Sequence, residues 1–187
     1  MVVRAPVRAL FCAGLLLAPL PLHAQQADRP AQPPKASAAA PAASAPEAQS
    51  LREAIVARAR AQLGNRYRLG GERPEEGFDC SGLIRYIMSA FDLSLPRTAA
   101  LQALMGREVP RDPASLRPGD LLTFGTGKRI THIGIYVGNG RYIHASSGSG
   151  RIIESELDRP RSSLMRSWQG VRRVLTSSDS TGRFGPG

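Results

Sequence analysis

Cys80 lies in the run Phe78-Asp79-Cys80-Ser81-Gly82-Leu83, and the other cysteine, Cys12, lies in an apolar N-terminal stretch. Asp79 is a good N-cap, which predicts a helix whose first turn carries Cys80. Free backbone N–H groups and the helix dipole favour an anion there, and thiolate rather than thiol is the nucleophile. Ser81 and Gly82 are small, so a substrate can approach the sulfur closely. A small core residue on a helix would fit the same position, and the histidines weigh against that reading. His132 opens His-Ile-Gly-Ile-Tyr-Val, which predicts a strand with Ile133, Ile135 and Val137 on one face and His132, Gly134 and Tyr136 on the other. His144 follows beyond Gly138-Asn139-Gly140. A three-residue connection pairs Gly134 with His144 and sets the two imidazoles diagonally on one face. An unbulged two-residue loop would set them on opposite faces, so an odd count or a bulge is required. The trio then offers a thiol nucleophile, a base that titrates near neutral pH and a polar group to fix that base's tautomer. Cys80, His132 and His144 could instead hold Zn²⁺ with an open fourth position, although no CxxC, HExxH or carboxylate cluster accompanies them.

The elements that must position these residues can be read from periodicity. Ser50 and Glu53 form a capping box before a stripe of Leu51, Ile55, Ala59 and Leu63, and Gly64 closes the helix. A second helix runs from near Asp79 to about Phe91, with Leu83, Ile84, Ile87, Met88 and Phe91 on its inner face. A third starts at Thr98 and ends at Gly106. The period then drops to two. Residues 121–124, 131–137, 141–145, 151–154 and 171–175 read as strands punctuated by Gly, Asn and Pro. Helices first and strands afterwards predict an α+β fold, with N-terminal helices packed on one side of an antiparallel sheet.

The two ends read differently. Arg4 and Arg8 precede the apolar stretch 9–22, which Pro19 and Pro21 break, and Ala24 offers a cleavage point: a secretory signal over residues 1–24. Phe11 stands before Cys12 where a lipidated cysteine wants a small residue. Ala- and Pro-rich residues 25–50 read as a linker, residues 51–175 as the folded domain, and residues 176–187 as a disordered tail. Loss of Arg4 and Arg8 lowers the net charge from +10 to +8. It also leaves Cys80 as the one cysteine of an exported chain, which rules out an internal disulfide. The arginine excess suits a carboxylate-bearing partner that guanidinium forks can grip. Arg97, beside Thr98, is the candidate substrate contact. Nucleic acid is not expected, because basic residues do not interleave with aromatics. No apolar run reaches the roughly 20 residues of a membrane span, and a monomer is expected.

Taken together, FDCSGL, THIGIYVG and RYIHAS resemble the three signature blocks of the NlpC-type cysteine peptidases, which cut peptide bonds in bacterial peptidoglycan. NRYRLGG, LPRTA and RPGDLLTF match the same family, and the resemblance covers about residues 51–175. It implies a papain-like domain without a cofactor that acts on peptidoglycan stem peptides or cross-links. It further implies Cys80 as nucleophile, His132 as general base and His144 as polar third member. The Tyr67 hydroxyl and the Cys80 backbone N–H would form the oxyanion hole. A catalytically silent wall-binding module on this fold and the zinc hydrolase remain as alternatives.

Overall fold

The computed structural model describes residues 45–158 and 162–175. The expected signal peptide, most of the expected linker and the expected tail lie outside the described residues. The first helix, α1 (Ala45–Arg60), takes in the last six residues of the expected linker. Alanine is the best helix former, and Pro46 is tolerated in a first turn, so the Ala-rich end of that segment joins the helix. Ser50 is therefore no cap. Its hydroxyl donates to the Pro46 carbonyl one turn back, and Gln49 donates to Glu53. Ile55, Val56 and Ala59 form the buried face, whereas Leu63 lies beyond the helix and is 40% exposed.

A two-residue hairpin follows, with β1 (Glu72–Arg73) paired to β2 (Gly77–Phe78). Next come α2 (Cys80–Ser89), capped by Asp79 as the sequence predicts, and α3 (Ala99–Gln102), which Thr98 caps and which stops four residues short of the expected Gly106. The remaining strands are β3 (Arg107–Val109), β4 (Leu121–Thr126), β5 (Arg129–Gly138), β6 (Arg141–Ser146), β7 (Arg151–Glu156) and β8 (Trp168–Arg173). A short helix, α4 (Ser163–Arg166), precedes β8. Six strands form one antiparallel sheet in the order β3-β8-β4-β5-β6-β7. The two-residue hairpin and β3 were not expected, because such short strands carry no readable period.

Both faces of the sheet are covered. On one, Leu83, Ile84, Ile87 and Met88 of α2 pack with Ile55 of α1 and with Leu121, Ile133, Ile135 and Ile143, all fully buried. On the other, Leu122, Phe124, Tyr136, Tyr142 and Val171 make a second cluster, closed by Leu164, Met165 and Trp168. Arg173 and Asp120 meet inside this framework through two hydrogen bonds of 2.7 and 2.6 Å, with side chains 5% and 0% exposed. No helix among the described residues is long and apolar enough to cross a membrane.

Candidate active site

The hairpin between β5 and β6 brings the histidines together. Tyr136 pairs with Tyr142 but Gly138 pairs with Arg141, so Val137 is an extra residue on β5: the required bulge. A second shift, between Phe124 and Gly125 of β4, leaves Thr131 unpaired just before His132. His132 Nε2 then lies 2.9 Å from His144 Nδ1. Gly134 permits this closeness, since a Cβ there would meet the Ile143 carbonyl at 3.1 Å and the His144 Cβ at 3.2 Å. His144 is buried and stacks on Tyr142, and its Nε2 lies 3.1 Å from Ser155 Oγ. The Ser155 hydroxyl also reaches the Tyr142 phenol. Ser155 was missed by sequence reasoning; the signal that would find it is the register of β6 on β7, which pairs it with Tyr142.

Cys80 enters the same cleft from the other layer. Asp79 accepts from the Gly82 N–H at 2.7 Å and from the Gly70 N–H at 2.9 Å, so one carboxylate caps α2 and ties down the preceding loop. Tyr67, Cys80, Arg97, His132 and His144 all line one cleft of about 850 Å³. Arg97, expected to grip substrate, is already engaged. It donates to Asp79 at 2.6 and 3.0 Å, to Ser81 Oγ at 2.9 Å, and pairs with Glu72. These bonds hold the cap of α2 while Arg97 still lines the cleft.

The electrostatics differ from expectation. Burial pushes the Cys80 thiol up; the N–H groups of Ile133, Ser81 and Cys80 itself pull it down by less, and the Asp79 charge raises it further. Burial lowers His132 from 6.5 to about 4. It lowers His144 to about 3, with help from the neighbouring His132. The free site thus holds a neutral thiol beside neutral imidazoles rather than an acidified cysteine and a base titrating near pH 7. The helix terminus supplies its donors, but withdrawal from water outweighs them. Burial also raises the Tyr67 hydroxyl, as do the nearby Cys80 and Asp79, so Tyr67 remains a donor at neutral pH.

A stability prediction follows from the histidines. Both take protons more readily in the unfolded chain, where their value is near 6.5. Their contribution is complete above that pH and is lost as pH falls toward about 4. Urea unfolding between pH 6.5 and 5 should therefore show stability falling by about 1.4 kcal/mol per pH unit for each titrating histidine. His144→Asn should flatten this slope, and a parent slope of zero would contradict the burial of uncharged rings.

The zinc alternative lacks its donor set. The facing nitrogens of the two histidines bond each other, and no three His, Cys, Asp or Glu side chains are grouped to hold a metal among the described residues.

The model of the NlpC/P60 family matches residues 64–170, more than half of the chain. The chain belongs to the NlpC/P60 family. Its fold is the papain-like domain of that family: the peptidoglycan hydrolase RipB of Mycobacterium tuberculosis superposes with a TM-score of 0.59 at 31% identity, over 71% of this chain and 69% of that one. This NlpC/P60 chain is also 43% identical over 116 residues to the murein DD-endopeptidase MepS/murein LD-carboxypeptidase of Escherichia coli, covering 62% of this chain and 58% of that protein. A gamma-DL-glutamyl hydrolase of Bacillus subtilis is 43% identical over 111 residues, or 57% of this chain and 26% of that protein. The chain therefore spans from about a quarter to three fifths of the length of these curated relatives.

Proposed function

We propose that this NlpC/P60 domain is an exported thiol endopeptidase that hydrolyses peptide bonds in peptidoglycan stem peptides or cross-links. The observation that carries the reading is a cysteine at a helix start sharing a cleft with a histidine whose far nitrogen is fixed at 2.9 Å by a second histidine. The relatives' names support it, and they disagree about the bond cut, so bond specificity is not carried over. Export rests on the secretory pattern of residues 1–24 and on wall-acting relatives.

The chemistry runs through named atoms. His132 Nε2 faces His144, which leaves Nδ1 to act as the base toward Cys80. With the proton of His132 on Nε2 and donated to His144 Nδ1, His144 carries its own proton on Nε2 and donates it to Ser155 Oγ. This arrangement leaves His132 Nδ1 without a proton, ready to accept one. Nδ1 takes the thiol proton as Sγ bonds the carbonyl carbon. The Tyr67 hydroxyl and the Cys80 N–H hold the resulting oxyanion. Collapse breaks the C–N bond, the amine leaves with the proton from His132, and a water deprotonated by His132 cleaves the thioester. Burial penalises either charge made alone, and transferring the proton within the pair creates both charges side by side.

Incubating purified sacculi and muropeptides with the full chain should release fragments that mass spectrometry assigns to cleavage of one peptide bond by addition of water. Absence of release, or release abolished by a chelator, would overturn the reading. The relay adds a graded expectation. His144→Asn keeps an acceptor for His132 and retains measurable activity, whereas His144→Ala loses about 10²-fold or more, chiefly in kcat. Ser155→Ala removes one hydrogen bond and costs about fivefold in kcat with KM unchanged. Equal loss in His144→Asn and His144→Ala would assign His144 a proton-carrying role instead.

A further inference from the structure

A second cavity, of about 510 Å³, shares no lining residue with the catalytic cleft. Four arginines line it: Arg52 of α1, Arg107 of β3, Arg117 before β4, and Arg173 of β8. The carboxylate that answers them is Asp120, committed to Arg173 through both oxygens. Arg52 donates to the Pro118 and Leu175 carbonyls at 2.8 and 2.9 Å, which fixes its position but adds no negative charge. Among the described residues, the guanidinium groups of Arg107 and Arg117 have no hydrogen-bonded or ion-paired side chain. The cavity therefore gathers four positive charges around one negative charge.

Strand register sharpens this imbalance. β3 and β8 pair Glu108 with Arg172, opposite charges across the ladder, and their side chains meet at 3.7 Å. One step along, the same strands pair Arg107 with Arg173. Like charges directly opposite each other destabilise a sheet, and here the pair adjoins two further arginines. The protein thus concentrates repulsion in a concavity, where it could have been dispersed over an exposed surface. Arg52 registers this: burial lowers its proton affinity most, Asp120 raises it, and Arg173, Arg117 and Arg107 each lower it by less.

We propose that this cavity is a phosphate-binding site. A carboxylate has two oxygens, which one guanidinium fork satisfies, whereas the two unengaged forks of Arg107 and Arg117, with the charges of Arg52 and Arg173 beside them, suit a tetrahedral anion with three or more acceptor oxygens. The concave shape favours a discrete group seated among the arginines, and that group can belong to a soluble phosphate or to a lipid headgroup.

The test uses the full chain and inorganic phosphate, titrated at constant ionic strength with binding read by calorimetry. Saturable binding is expected, weakened at least tenfold in Arg107→Gln/Arg117→Gln. Both positions are exposed, and near-ultraviolet circular dichroism should report an unchanged fold. Lys128→Gln/Arg129→Gln removes the same charge at the exposed β4–β5 turn and should leave binding intact. Co-sedimentation with phosphatidylglycerol vesicles, competed by phosphate, separates the sources. Capture lost in the Arg107/Arg117 variant indicates a headgroup, and phosphate binding without capture indicates a soluble ligand; either supports the site. Absence of saturable phosphate binding, or equal weakening in the control variant, overturns it.

Discussion

Cys80→Ser should fold like the parent and lose at least about 10⁴-fold in kcat/KM on muropeptides. The two side chains differ by one atom, the site is only partly exposed, and Asp79 caps α2 whichever residue follows it. Stability should change little. Activity should collapse, because a hydroxyl is far harder to deprotonate than a thiol and His132, already a weak base in its buried setting, cannot make up the difference. Steady-state kinetics with a matched unfolding curve decide the matter. Retention of more than about one hundredth of the parent activity would remove Cys80 from the nucleophile's role.

The second large effect is structural. Asp120→Ala should destabilise the domain by about 3–5 kcal/mol, because it strands a buried guanidinium. Arg173 would keep its hydrogen bond to the Ser115 carbonyl at 2.9 Å but lose both bonds to a carboxylate. The Arg117 backbone N–H would also lose its acceptor, at 2.9 Å, in the turn leading into β4. Urea unfolding of the two proteins at pH 7 measures this directly. A loss under about 1 kcal/mol would mean that water reaches Arg173 without cost.

Much of this arrangement was legible in the sequence because local chemistry fixed it. Asp79 reads as a cap and is one, and the Ile133/Ile135 alternation specifies which strand face carries His132. The β5–β6 hairpin needed a bulge to bring the histidines together, and Val137 supplies it. Three features were hidden because their causes are not local. The start of α1 depends on an Ala-rich run that composition alone reads as linker. The partners of Arg97 come from residues 16 to 25 positions away in sequence, brought together by the loop before α2. The proton affinities of Cys80, His132 and His144 depend on burial, which no spacing pattern encodes.

Gly82 and Gly71 touch so closely that a Cβ on Gly82 would run into the Gly71 carbonyl. That carbonyl also accepts from the Asp79 N–H at 3.0 Å, while the Arg68 N–H donates to the Phe78 carbonyl and the Phe78 N–H to the Arg66 carbonyl. The loop bearing Tyr67 and the helix bearing Cys80 are therefore welded into one body, while His132 and His144 ride on the sheet. The seam between the bodies is the apolar layer of Leu83, Ile84 and Ile133, edged by backbone bonds from the Tyr67 loop to Gly150 and Ile152. The spacing of nucleophile and base is a mechanical property of that seam. Adaptation to heat or cold can thus adjust turnover by exchanging methyl groups in the core, leaving the reacting side chains and the oxyanion donors untouched.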